Sequence, residues 1–216
     1  MKFGGTSVSS PENWAAIVRL IHDRLADGLK PVVVHSALEG VSNELENVLL
    51  AAAAGKTVAG LTAVREQHYA LAEALQLDGP ALLDDTLHEL EQLVAGVRLI
   101  REVSVRVRVR IMALGELMAT RLGAEYLQSA GIPIEWLDAR DLLTSVSSGG
   151  GGQRVRDYLS AVCNAEPDAT FQERLSGIGK VVVTQGFIAR NEWGETVLLG
   201  RGGSDTSAAY FAARLQ

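Results

Sequence analysis

Lys2-Phe3-Gly4-Gly5-Thr6-Ser7-Val8 stands at the front of this 216-residue chain, and Gly200-Arg201-Gly202-Gly203-Ser204-Asp205 stands near its end. Each segment sets a cation beside adjacent glycines, follows them with hydroxyl side chains and leads into a helix-forming stretch. That is a recipe for holding an oxyanion: glycine permits close backbone approach and left-handed angles, and a helix N-terminus adds a positive dipole. The two segments therefore read as halves of one phosphate site. Neither has the G-x-x-x-x-G-K-[ST] spacing of a P-loop, and the dinucleotide fingerprint G-x-G-x-x-G is missing as well.

Between them, short apolar runs alternate with amphipathic segments, the pattern of a parallel sheet covered by helices. Residues 11–29 read as a helix capped by Ser10 and ended by Gly28, with Trp14, Ile17, Val18, Ile21 and Leu25 on one stripe. Pro31-Val32-Val33-Val34 reads as a central strand that delivers Ser36 to its carboxyl end. Residues 43–54, 61–77 and 82–99 read as helices of a lid, with Asn43 and Thr62 as starts. Residues 116–130 read as a further helix, and residues 132–137 as a strand that Pro133 places at an edge. Ser147-Ser148-Gly149-Gly150-Gly151-Gly152 reads as a mobile loop. Residues 180–189 read as the strongest strand, Asn191 to Gly194 as a hairpin turn, residues 196–199 as the returning strand, and residues 204–215 as a helix opening on the second glycine segment. The fold class is α/β, a three-layer αβα sandwich around a mainly parallel sheet.

Composition narrows the partners. The chain is 47% hydrophobic with a net charge of −6, enough for a buried core and contrary to a general nucleic-acid surface. Arg101, Arg106, Arg108 and Arg110 alternate with Val103, Val105, Val107, Val109 and Ile111, a period-two pattern that reads as a basic strand with a solvated face. No apolar run approaches the roughly 18 residues of a membrane span, and no signal-peptide layout opens the chain, so a soluble, cytoplasmic protein is expected. Cys163 is the only cysteine, which leaves no internal disulfide and no cysteine-rich zinc site. His22, His35, His68 and His88 have no metal-ligand spacing, and Glu39 and Asp138 read as surface or loop carboxylates.

The Lys2–Val8 string, the Arg201–Asp205 string and Gly115-Glu116-Leu117-Met118 between them resemble, in order and spacing, the signatures of aspartate kinases. The resemblance implies the amino-acid-kinase fold and phosphoryl transfer from ATP, carried with Mg2+, to the β-carboxylate of L-aspartate. The product would be 4-phospho-L-aspartate, on the route to lysine, threonine and methionine. Such a reaction needs charge neutralisation and alignment rather than a base, since the accepting carboxylate is already ionised near neutrality. Lys2 suits the transferring phosphoryl as a movable point charge. Arg201 suits an α-carboxylate, for which a guanidinium offers two parallel donors. The family comparison places Glu116 near the α-ammonium and Ser36 and Ser42 near the β-carboxylate. It places Lys2, Phe3, Gly4, Gly5, Gly202, Gly203 and Ser204 on phosphate or nucleotide. Asp205 either positions Lys2 or caps the helix beside it. Magnesium would come with the nucleotide, without protein ligands of its own.

The chain departs from the family pattern at two places. Leu198 stands where a threonine is common, and Ser104-Val105-Arg106 replaces a serine-proline-arginine turn. Leu38-Glu39-Gly40-Val41-Ser42-Asn43 is similar to the kinase half of enzymes that join aspartate kinase to diaminopimelate decarboxylase. Against the family, residues 1–216 correspond to the front of one catalytic domain. The adenine-binding half and the regulatory modules are expected to be absent, the polypeptide alone is expected to turn over slowly or not at all, and the full-length protein is expected to be a homo-oligomer. Two alternatives stay open: the same fold acting on glutamate, acetylglutamate, carbamate or UMP, and a non-catalytic module that associates through residues 43–99.

Overall fold

The computed structural model describes residues 1–146 and 155–216; the segment Ser147–Gly152, read above as a mobile loop, lies outside the described residues. The chain opens with β1 (Lys2–Phe3), a 3-10 turn over Thr6–Val8 and α1 (Pro11–Ala26). Ser10 caps α1 by accepting a hydrogen bond from the Asn13 N–H, and Trp14, Ile17 and Ile21 form its buried stripe. Gly28, at φ +76°, turns the chain out of the helix. β2 (Val32–His35) follows, then α2 (Val41–Ala53), α3 (Gly60–Ala74), α4 (Gly79–Ile100), α5 (Val105–Ser129) and β3 (Ile134–Trp136). The rest comprises α6 (Val155–Leu159), α7 (Ala169–Ile178), β4 (Val181–Gln185), β5 (Ile188–Arg190), β6 (Thr196–Leu198) and α8 (Gly203–Arg214).

Four strands form a parallel sheet in the order β1-β2-β4-β3. β2 and β4 are interior and almost wholly buried, while β3 lies at the edge, as Pro133 at its threshold suggested. Helices α1 and α5 pack on one face of the sheet and α8 on the other, giving the three layers. The aspartate-kinase resemblance and the alternation of apolar runs pointed to the same architecture. Helices α2, α3 and α4 stack on one another and against α5. They start a few residues earlier than their polar residues suggested: α2 is entered from Gly40 in the left-handed region, and α4 is capped by Asp78.

Two readings change. Residues 105–111 are the first turns of α5, not a basic strand. Ser104 caps that helix through the Val107 N–H, so the serine-proline-arginine turn of the family is replaced by a serine cap. The arginines that alternate in sequence fan out to three elements: Arg106 bonds Glu195 at 3.0 Å, Arg108 bonds Glu46 of α2 at 3.2 Å, and Arg110 bonds Glu89 of α4 at 2.7 Å. The cap at Ser104 and the burial of Val109 and Ile111 outweigh the local alternation pattern. The stretch 180–189 is likewise not one strand. It breaks at Gly186-Phe187, and Ile188 leaves the parallel sheet to form an antiparallel β5–β6 hairpin. Phe187 takes a φ of +69°, an uncommon angle for a residue with a side chain.

Packing between α1, β2 and α5 is tight at Gly123. A Cβ there would lie 2.4 Å from Trp14 Cη2 and 2.6 Å from His35 Nε2. The His35 ring meets Trp14 edge-on at 5.5 Å between centroids. His35 Nδ1 lies 3.0 Å from the Ser36 carbonyl and donates to it, so Nε2 is the unprotonated nitrogen; burial pushes the ring down to about 4 and keeps it neutral. We expect Gly123→Ala to cost about 1–3 kcal/mol through overpacking, read as a melting temperature lower by roughly 2–4 °C per kcal/mol. An unchanged melting curve would show that α1 and α5 separate more easily than this contact implies.

Candidate functional site

The carboxyl ends of β1, β2 and β4 open into a cavity of about 790 Å³. Lys2, Gly4 and Gly5 reach it from the end of β1, and Ser36 from the end of β2. Ser42 comes from the first turn of α2 and Glu116 from the middle of α5. Arg201, Gly202, Gly203, Ser204 and Asp205 come from the turn into α8. The two glycine segments at opposite ends of the sequence thus converge. The parallel register requires it, because Lys2 and Phe3 pair with Val34 and His35, and β2 pairs with β4, whose chain continues through the hairpin to Gly200.

Lys2 Nζ lies 2.7 Å from Asp205 Oδ1, a pair that joins the two segments directly. The ammonium sits over Gly4, where a Cβ would be 3.7 Å from it. Asp205 is thus paired with Lys2. It does not cap α8, whose N-cap is Gly202 with no side-chain cap bond. Ser36 Oγ donates to Ser204 Oγ at 2.9 Å, a second link between the ends of the chain. Gly200 and Gly202 both have positive φ, +78° and +69°, and this turn leaves the side chain of Arg201 exposed at the cavity.

Phe3 and Gly203 depart from expectation. Phe3 does not line the cavity: its carbonyl accepts from the Ser36 N–H at 3.2 Å, and its side chain packs on the core, as strand alternation requires. Gly203 lines the cavity, but its N–H donates to the Gly200 carbonyl at 3.0 Å to close the turn. Its role is close approach, since a Cβ there would lie 2.5 Å from Phe187 Cδ2.

Glu116 is the buried acid of the site. It is 2% exposed, and among the described residues Oε2 has no hydrogen-bond partner. Burial pushes its carboxyl up to about 8, opposed by the Ala37 backbone N–H and the nearby charge of Lys2. The position is fixed from below. Thr120 Oγ1 donates to the Glu116 carbonyl at 2.9 Å and accepts from Trp136 Nε1 and Gln185 Nε2, tying this turn of α5 to β3 and β4. It is also fixed from the side, because a Cβ on Gly115 would lie 3.0 Å from Val41 Cγ1 and 3.1 Å from Leu45 Cδ1.

The cavity includes residues that the sequence reading missed. Arg108 and Met112 share a stripe with Glu116 at i, i+4 and i+8, a spacing visible only once the stretch is read as a helix. Glu46 pairs with Arg108 across the rim, while Phe187 and Ser160 line the far side. Leu198, at the position of a common threonine, is 4% exposed and lines the wall without a hydroxyl. Asp138 is a held loop carboxylate rather than a free surface one: its oxygens accept from Arg140 Nε at 2.9 Å and Nη2 at 2.6 Å.

A family model for the amino acid kinase family matches residues 1–216. The chain belongs to the amino acid kinase family. Among relatives, the chain is 30% identical to chloroplastic aspartokinase 1 of Arabidopsis thaliana over 96% of its own length and 36% of the relative's. It is 30% identical to lysine-sensitive aspartokinase 3 of Escherichia coli K12 over 99% of its length and 46% of the relative's. In structure it is similar to E. coli aspartokinase III solved with aspartate and ADP, with a TM-score of 0.76 and 26% identity over 98% of this chain and 45% of that one. The chain therefore spans about a third to a half of the length of these relatives.

The raised Glu116 pKa fixes the sign of a pH effect. A group whose folded pKa lies above its unfolded value, here about 8 against 4.5, contributes stability that is present below the unfolded value and lost as pH rises toward the folded one. Glu116→Gln, a neutral isostere, should match the wild type near pH 4.5 and exceed it progressively up to pH 8, by about 5 °C or more in melting temperature. Parallel melting curves over that range check it; a constant difference would mean that Glu116 titrates as an ordinary carboxylate.

Proposed function

We propose that the cavity binds L-aspartate together with the phosphate end of ATP and aligns them for phosphoryl transfer to the β-carboxylate. The observation that carries this reading is the convergence in one cavity of the Lys2–Asp205 pair, the buried Glu116 and the exposed Arg201. Two cationic groups and one buried acid match an amino acid with two carboxylates and one ammonium. The similarity to aspartokinases, one of them solved with aspartate and ADP, supports the same assignment.

In this reading Arg201 grips the α-carboxylate with paired N–H donors, and Glu116 faces the α-ammonium. Ser36 and Ser42 orient the β-carboxylate. One of its oxygens attacks the γ-phosphorus, forming an O–P bond as the bond from phosphorus to the β,γ-bridging oxygen breaks, and ADP leaves with that electron pair. The attacking oxygen carries no proton, so no base is needed. Lys2, held by Asp205, stabilises charge on the transferring phosphoryl. Gly4, Gly5, Gly202 and Ser204 line the phosphate side, with the N-terminus of α8 directed at it. Magnesium would come with the nucleotide and supply charge neutralisation on its phosphates, with no side chain of this cavity assigned to hold it.

Glu116 also favours an amino acid over three other acceptors of this fold, because acetylglutamate, carbamate and UMP offer no primary ammonium to a buried acid; L-glutamate offers the same ammonium and differs by one methylene. Calorimetry with L-aspartate, L-glutamate and UMP, followed by ADP release in the presence of ATP and magnesium, tests the assignment. Binding of UMP in preference to aspartate would sink it. Arg201→Lys replaces a planar two-pronged donor by a point charge and should weaken L-aspartate binding about 10- to 100-fold, the range of a lost charge-assisted hydrogen bond. Wild-type affinity in that variant would remove Arg201 from carboxylate recognition.

A further inference from the structure

Glu116 sits where an ionised carboxylate is expensive and yet on the wall of a ligand cavity. It is 2% exposed, its Oε2 has no partner, and among the described residues it forms no ion pair. The charged groups around it are committed elsewhere. Lys2 of β1 is held by Asp205 of α8 at 2.7 Å, and Arg108, on the same helix, by Glu46 of α2 at 3.2 Å. Arg201 is exposed in the turn before α8. Farther out, Glu89 of α4 takes Arg110, His68 of α3 takes the Val64 carbonyl, and His35 of β2 turns its ring toward Trp14. An isolated carboxylate in such a place is disfavoured unless a cation arrives with the ligand.

We propose that the empty cavity keeps Glu116 as a neutral acid, and that docking of a primary ammonium discharges its proton to solvent. The acceptor's amino group is then recognised through proton exchange. This inference rests on the amino-acid acceptor reading above. The balance is simple: the O–H bond of Glu116 breaks, the proton passes to the buffer, and the carboxylate remains beside the ligand's ammonium, with no electron transferred. The orphan Oε2 is the atom that gains a partner. A neutral or N-acylated ligand brings no cation to compensate a buried carboxylate, so its docking leaves the proton on Glu116.

The experiment is titration calorimetry of L-aspartate into this polypeptide at pH 7, in buffers of low and high ionisation enthalpy such as PIPES and Tris. It is joined to 13C NMR of glutamate-labelled protein, in which the Glu116 carboxyl signal is the one missing from Glu116→Gln. Expected are about 0.9 protons released per aspartate bound at pH 7, as a carboxyl with a pKa of about 8 requires, falling to almost none near pH 9, above which the ligand's own amino group takes up protons on binding. Affinity should rise about tenfold per pH unit from pH 6 toward 8 and then level off. Glu116→Gln should release no proton, and N-acetyl-L-aspartate should neither release a proton nor bind comparably. Heats independent of buffer, with Glu116 titrating near the ordinary carboxylate range, overturn the exchange and leave aspartate recognition standing. A neutral Glu116 in a protein that binds aspartate at no pH overturns the acceptor reading, and the exchange with it.

Discussion

The approach of α8 to the end of β4 is a contact that only glycine allows. A Cβ on Gly186 would lie 2.5 Å from Ser204 Cβ, and one on Gly203 would lie 2.5 Å from the ring of Phe187. With both side chains missing, the N-terminal turn of α8 sinks against the sheet's carboxyl edge, where Ser204 reaches Ser36 and Asp205 reaches Lys2. Phe187 accepts a left-handed φ at this place, and its N–H is satisfied by Ser207 Oγ at 2.9 Å. Strain of this kind, of order 1–3 kcal/mol, persists only where the surroundings over-determine it. Here it redirects the chain out of the parallel sheet, into the hairpin and back to the glycine turn.

The helical layer supplies the second half of the site by a different principle. α5 runs from the rim to the sheet, so one helix presents Arg108, Met112 and Glu116 along the cavity while Thr120 anchors its far part to β3 and β4. The arginine fan at its start fastens the same helix to α2, α4 and the turn of the hairpin. Individually such exposed pairs contribute little, on the order of 0–1 kcal/mol. Their geometric effect is larger, because each ties the rim of the cavity to a different element. Burial of Glu116 follows from that arrangement: α2 closes over Gly115 from one side, and the loop after β2 closes from another.

Much of this was legible in the chain itself. The glycine segments, the capped α1, the buried β2 and β4, the edge position of β3 and the hairpin turn are all local matters of φ, capping and apolar pattern. Of the residues singled out for the site, Lys2, Gly4, Gly5, Ser36, Ser42, Glu116 and the stretch from Arg201 to Asp205 line one cavity. Phe3 is turned to the core by strand alternation, and the N–H of Gly203, which does line the cavity, is used by the turn itself.

The limits of sequence reading fall where long-range partners decide. Residues 105–111 alternate like a strand, yet they are helical: Ser104 caps them, Val109 and Ile111 are buried, and their arginines reach acids on α2, on α4 and in the hairpin turn. Nothing local to Phe187 announces a left-handed angle, and nothing local to Glu116 announces that one of its oxygens is left without a partner. Most elements, and the residue types that can hold anions, follow from the chain alone because propensity, capping and glycine freedom act within a few residues; the start of α5 and the break at Gly186 do not. Tertiary structure alone decided which of those groups meet, which ion pairs are already taken, and that Glu116 is dry. Those outcomes depend on side chains brought together from opposite ends of the chain, and on the exclusion of water that only packing produces.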